Sequence, residues 1–209
     1  MAVIAQLTVE PRYTPSIHLL SADGEFFITR EPGPYTLPRY DPAEFPKRVQ
    51  FESAHKTIAD FVPIEGRLSV SPEAKALIEE FEPGVHQFFP VEIARRRSTR
   101  PIYRLDGRLL DTPYYVFFPQ VMLDAVWVER SDVKVLPRLK GPPIVTPGSR
   151  YMLSTGKHKL VVLREVVAGQ HVWRGHYQCH LDLFFSDALA REIENRRLRK
   201  LNFIPVEEA

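Results

Sequence analysis

Cysteine is almost absent from this chain. Cys179 is the only one in 209 residues, which excludes an intramolecular disulfide framework and suits a reducing compartment. Glycine is modest, at 10 residues, and no phosphate loop of the GxxxxGK[ST] or GxGxxG type occurs, so nucleotide binding has no sequence support. No apolar run is long enough to span a bilayer, and the start, Met1-Ala-Val-Ile-Ala-Gln, lacks the basic region of a secretory signal. Cytoplasmic residence is the expectation. Charge of one sign is not in excess either: 28 Lys and Arg face 26 Asp and Glu, so no global field draws the molecule to nucleic acid or anionic lipid.

What the chain does have is proline, 19 residues spread along its length. Prolines so distributed interrupt helices and mark turns and edge strands, which favours short strands with ordered loops. Apolar residues at 44% and charged residues at 26% give a globular core rather than disorder. The length suits a single domain over residues 1–209, with 1–65 as its less defined portion and 66–209 as the better patterned one.

In residues 1–65, turn signals such as Ala22-Asp23-Gly24 and Glu31-Pro32-Gly33-Pro34 leave room only for short strands. Phe26-Phe27-Ile28 fits one, and residues 50–61 fit a short strand or a helical turn. From Gly66 the pattern sharpens. Residues 66–70 read as a strand, Ser71 as an N-cap, Pro72 as the first helical residue and Glu73 as a charge suited to the positive helix end. Ala74, Leu77, Ile78 and Phe81 recur at helical spacing, Pro83-Gly84 stops the helix, and residues 85–93 form another strand.

The same strand-helix-strand unit, at residues 66–93, returns at residues 181–207, ungapped at an offset of about 115 residues. Leu68 matches Leu183, Ser71 matches Ser186, Ile78 matches Ile193, and Phe88-Phe89-Pro90-Val91-Glu92 matches Phe203-Ile204-Pro205-Val206-Glu207. Leu189, Ile193 and Leu198 mark the second helix. Between the copies, Asp106-Gly107 predicts a hairpin joining residues 101–105 to 114–118. Residues 121–128 suit a strand or short helix, and 138–150 a loop. Residues 160–163 and 171–173 predict a strand pair across Ala168-Gly169. The fold class is α+β, with mixed sheets of short strands and two principal helices.

Several clusters bear on chemistry. His171, His176, Cys179, His180 and Asp182 are all capable zinc ligands. Their spacing matches no closed site, and adjacent strand residues point to opposite faces. Cys179 beside a histidine also has the makings of a nucleophile and base, although a lone apolar-strand cysteine is normally a small buried residue. Ser71 and Ser186 lack a GxSxG context and are explained as caps. The expectation is no catalytic residue, no metal and no cofactor. The densest basic runs are Arg95-Arg96-Arg97-Ser98-Thr99-Arg100 and Arg196-Arg197-Leu198-Arg199-Lys200. Each can meet phosphates or an acidic protein, or serve as solvated loop and helix-end charge. No nucleic-acid reader motif accompanies them. Tyr114-Tyr115, Trp127 and Trp173 are aromatic candidates for a contact surface. The partner-binding candidates are therefore Arg95, Arg96, Arg97, Tyr114 and Trp173.

Four pieces in this order resemble the Imm11-type immunity proteins of bacterial polymorphic toxin systems. They are Leu68-Ser69-Val70-Ser71 through Phe88-Phe89-Pro90-Val91; the tyrosine-rich strand before Leu123-Asp124-Ala125-Val126; His171-Val172-Trp173-Arg174; and Leu183-Phe184-Phe185-Ser186-Asp187 through Phe203. Where that family often has a small pair before the last Phe, this chain has Arg199-Lys200-Leu201-Asn202. The resemblance implies a non-catalytic protein that binds a cognate toxin. The near-neutral charge argues against imitation of a nuclease's substrate. An alternative is a ligand- or nucleic-acid-binding module using the two arginine runs, and a third reading is an enzyme built on residues 171–182.

Overall fold

The structure, a computed structural model, describes residues 1–7, 16–20, 37, 39–43, 45–52, 56–64, 67–95, 100–136, 150–153, 159–175 and 183–209. In chain order the elements begin with β1 (Ala2–Leu7), β2 (Ser16–Leu20), β3 (Arg48–Glu52), β4 (Thr57–Ile58), β5 (Phe61–Ile64) and β6 (Arg67–Val70). Next come α1 (Pro72–Phe81), β7 (Gln87–Arg95), β8 (Tyr103–Arg104), β9 (Tyr114–Phe118) and β10 (Met122–Leu123). A 3-10 turn at Val128–Arg130 leads to β11 (Val133–Leu136), β12 (Arg150–Leu153), β13 (Val161–Val162) and the single-turn α2 (Arg164–Val167). The chain closes with β14 (Val172–Gly175), β15 (Leu183–Ser186), α3 (Asp187–Asn195) and β16 (Leu201–Glu208).

Both principal helices start as their sequences dictate. The Ser71 and Ser186 hydroxyls accept the backbone N–H of Ala74 and Leu189, each at 3.2 Å, and Pro72 occupies the first turn, where its missing N–H costs nothing. The helix that begins at Asp187 stops at Asn195, short of Leu198. Arg197 takes a left-handed conformation (φ 56°), and the Leu198 N–H returns to the Ile193 carbonyl at 3.0 Å. This is a Schellman closure with arginine in the position glycine usually fills.

The two strand-helix-strand units seed two six-stranded sheets, ordered β2-β3-β7-β9-β6-β5 and β10-β14-β15-β1-β16-β13. Five strands of one superpose in order and direction on five of the other: β3-β7-β9-β6-β5 on β13-β16-β1-β15-β14. Register agrees as well. Phe89 and Ser69 flank Val116 in one sheet, as Ile204 and Phe184 flank Ile4 in the other. Pro90 and Pro205 occupy matching places, two residues before the parallel outer strand joins at Glu92 and Glu207. The missing N–H therefore falls where no outer strand is there to receive it.

The copies differ in where the middle strand comes from. In the first sheet it is β9, which follows β7 in the chain, whereas in the second it is β1, from the opposite end of the sequence. Alternation along these strands explains why both β9 and the first four residues of β1 are apolar on both faces. Tyr114, Val116 and Phe118 face one cluster and Phe117 another, while Val3 and Ala5 face away from Ala2 and Ile4. Between the sheets lies a shared layer in which α1 (Ala74, Leu77, Ile78) and α3 (Leu189, Ala190, Ile193) pack together with Phe117, Val172 and Phe185. On the far side of the first sheet, β2 and β5 approach each other, so that sheet curls toward a barrel around Leu19, Phe51, Ile64, Val91 and Tyr114.

Two predicted pairings are corrected. Residues 160–163 and 171–173 do not pair: β13 joins β16, β14 joins β15 and β10, and Ala168-Gly169 ends α2. The turn at Asp106-Gly107 forms, but it returns the chain so that Tyr103 faces Leu109, while Tyr114–Phe118 pairs with β6 and β7. In each case the turn signal is local, whereas the partners of the flanking strands lie elsewhere in the chain. Residues 121–128 supply β10 and the approach to the 3-10 turn. Residues 50–61 hold strands, with no helical turn among those described. The strand at Phe26-Phe27-Ile28 and all of the predicted loop except Arg150, which opens β12, lie outside the described residues. Among the described residues no helix is long and apolar enough to cross a membrane.

Candidate functional site

The richest polar geometry lies where the halves meet. Glu82, the residue that closes α1, is 7% exposed, and its Oε1 accepts the backbone N–H of His171 at 2.7 Å. Its Oε2 accepts the Val172 N–H at 3.1 Å and meets His86 Nε2 at 2.5 Å. The His86 ring is fully buried, and its Nδ1 accepts the Gln120 N–H at 3.1 Å, so the proton sits on Nε2 and is donated to the carboxylate. Burial pushes the Glu82 carboxyl up, but the His86 hydrogen bond and the two amides outweigh it and hold the group below the usual glutamate range.

The second helix reaches back in the same manner. Arg199, after α3, donates its N–H to Asp60 Oδ2 at 2.9 Å and accepts the Phe61 N–H at 3.3 Å. Asp60 and His171 are themselves matched, since their carbonyls accept the N–H of the two capping serines, Ser71 at 2.8 Å and Ser186 at 2.9 Å. Each helix end thus clasps the start of a strand of the other half, β14 in one case and β5 in the other. One clasp uses a side chain and the other uses main chain.

Around Asp60 a second network gathers. Arg104, whose side chain is 9% exposed, donates to Glu73 Oε1 at 2.6 Å and to Asp60 Oδ1 at 3.1 Å. Arg108 donates to Asp106 Oδ2 at 2.7 Å and to Glu73 Oε1 at 3.3 Å. The hydrogen bond from Arg104 holds the Glu73 carboxyl below its usual range. The side chains of Glu73 and Arg104 thereby fix the 103–109 hairpin to the first turn of α1.

The histidine segment places one pair in reach of nucleophilic chemistry, His171 Nδ1 at 2.8 Å from Ser186 Oγ. That hydroxyl is also the cap of α3. Glu82 grips the main chain of His171 rather than its ring, and among the described residues no carboxylate–imidazole–hydroxyl relay is assembled. His176, Cys179, His180 and Asp182 lie outside the described residues. Among the described residues, no group of three His, Cys, Asp or Glu is placed to hold a metal ion.

Two of the aromatic candidates, Tyr114 and Trp173, lie in the core. Tyr114 is fully buried and its hydroxyl donates to the Ala59 carbonyl at 2.9 Å, with burial pushing its ionisation up. Trp173 is 1% exposed and stacks on Phe184 at 5.5 Å. Neither ring is exposed at the surface. Of the arginines, Arg95 lies at the end of β7 with its guanidinium over the Phe51 ring at 5.1 Å and its Nε donating to the Arg100 carbonyl. Arg96 and Arg97 lie outside the described residues. Arg196 forks onto Glu80 at 3.0 and 2.6 Å and also meets Glu192 at 2.8 Å, so its charge is matched within the molecule. The polar groups that sequence reasoning missed are Glu82, His86 and Arg104. The only sequence signal for the first two is their spacing of one helical turn, across a helix end.

Taken together, the matched sheets and their reciprocal clasps define a duplicated α+β protein whose buried polar groups bind one half to the other. The model of the Imm11 immunity protein family matches residues 5–208, from β1 through β16, and the chain belongs to that family. Compared with curated proteins, it finds no match.

Proposed function

We propose that this chain is an immunity protein that acts in the cytoplasm by binding a cognate bacterial toxin, without catalysis. The observation that carries the reading is the family match over 5–208, which takes in both sheets and both principal helices rather than one borrowed motif. The internal commitments of the polar groups support it. The Ser186–His171 pair serves a helix cap, and the Arg196 fork is closed by two carboxylates. The body acts as one domain that presents a preformed surface, a condition that limits the ordering cost of tight association. Co-expression with the toxin encoded beside its gene is the test. Growth of cells carrying both, against death of cells carrying the toxin alone, is the expected result. Equal killing with and without this protein would remove the assignment.

A further inference from the structure

A cavity of about 470 Å³ opens beside the start of β9, between β7, the 42–47 approach to β3 and the 110–113 approach to β9. Its wall is mainly apolar. Phe45 and Phe89, stacked with ring centroids 4.2 Å apart, are joined there by Ile93 and Leu110. Size and lining are those of a pocket that takes a ligand or a partner's side chain. Three charged side chains also stand on the wall, the carboxylates of Glu92 and Asp111 and the ammonium of Lys47. Two carboxylates against one ammonium leave that wall with negative charge in excess.

The three segments that form the cavity are tied by their main chains. The Phe45 N–H donates to the Asp41 carbonyl at 3.1 Å, and the Leu110 N–H donates to the Ile102 carbonyl at 2.9 Å. Between β7 and the approach to β3, the Glu92 N–H donates to the Lys47 carbonyl at 2.9 Å. A cavity fixed in this way costs little further ordering when it is filled.

The internal duplication indicates the occupant. Glu92 has its counterpart in Glu207, since each is the residue at which the parallel outer strand joins. Glu207 takes two cations, Lys159 Nζ at 2.9 Å and Arg130 Nη2 at 3.1 Å, and the Arg130 guanidinium also lies over the Trp127 ring at 5.1 Å. Among the described residues Glu92 meets Arg48 alone, at 4.0 Å, with the two side chains 76% and 77% exposed. Arg48 is not on the cavity wall, and Asp111 makes no ion pair among the described residues. One half thus supplies the guanidinium for this glutamate from its own chain, whereas the other sets the glutamate on an apolar cavity with a second carboxylate. Arginine suits both parts, with an aliphatic stem for the wall and a guanidinium fork for the carboxylates. We propose that this cavity receives an arginine side chain of the toxin, its guanidinium directed to Glu92 and Asp111. The proposal rests on the immunity reading and adds the contact site to it.

The experiment measures affinity between the full-length protein and the toxin domain encoded beside its gene. Wild type is compared with a Glu92→Gln/Asp111→Asn double variant, with Thr112→Trp, which crowds the cavity from an exposed position, and with Glu194→Gln as an exposed carboxylate control on α3. Melting curves matching wild type establish that the variants are folded, as expected for exposed side chains. The expected result is a loss of about 10-fold or more for the double variant and for Thr112→Trp, with no change for Glu194→Gln. Added salt should weaken wild type more than the double variant. Wild type that binds while both cavity variants bind equally well overturns the cavity and leaves the immunity reading standing. Loss with Thr112→Trp but not with the double variant assigns the cavity an apolar occupant and overturns the arginine. Loss with the double variant but not with Thr112→Trp, or an equal loss with Glu194→Gln, places the charge contact outside the cavity and overturns the proposal. Wild type that does not bind overturns both readings.

Discussion

The carboxylate of Glu82 holds the backbone N–H of His171 at 2.7 Å across the joint between the two halves. Together with Val172 and His86 it makes a buried acceptor with three donors and no water-facing alternative. Glutamine at this position keeps the shape but replaces one acceptor oxygen with a donor facing another donor. Glu82→Gln is expected to cost ~2 kcal/mol at neutral pH, as for loss of charged-acceptor hydrogen bonds in a buried setting. Urea denaturation measures it.

The same group sets a pH dependence. Its folded-state ionisation lies below the ordinary value, so the carboxylate's contribution is complete above the unfolded glutamate range, near pH ~4.3, and is lost as pH falls through the folded value. The stability gap between wild type and Glu82→Gln should therefore be constant from pH 8 to about 6 and narrow on acidification below about 4. A gap that stays constant to pH ~3 would show that the carboxylate charge is not its source.

The two caps offer an internal comparison. Ser71→Ala is expected to cost about 1 kcal/mol. Ser186→Ala should cost more, since its hydroxyl serves both the Leu189 N–H and the His171 ring. Equal losses in thermal denaturation would mean that the His171 contact contributes nothing.

Arg197 points the other way. It carries a left-handed backbone in an exposed Schellman turn, where glycine meets no Cβ penalty. Arg197→Gly should stabilise by roughly 0.5–1 kcal/mol, the relief of strain outweighing the added freedom of the unfolded chain. A lowered melting temperature would contradict this account.

How much of this was visible beforehand depends on distance along the chain. The helical units were legible because cap, first-turn proline and apolar spacing all lie within a dozen neighbours, as at Ser71-Pro72-Glu73 and Ser186-Asp187. The sheet order was not. Nothing local says that Val3 sits between Pro205 and Phe185, or that Tyr115 sits between Pro90 and Val70. The clasp was equally hidden, because Glu82 reads as an ordinary charge at a helix end until the fold brings His171 to it. The exposed face of the hairpin was masked for a related reason. Its turn was plain in Asp106-Gly107, but only the inward turn of Arg104 decides that Tyr103 and Leu105 face out.

The strand β1 carries a consequence for how the chain reaches this state. Its neighbours β15 and β16 lie far downstream of it in the chain, so during synthesis β1 has no ladder to join until they emerge. The first sheet can assemble from residues 16–118, whereas the second must wait for β1 to meet β15 and β16. Closure at such separation is entropically slow and leaves apolar strand edges open meanwhile. For a protein whose proposed task is to arrive before a toxin acts, the meeting of β1 with β15 and β16 is the long-range contact on which the second sheet depends.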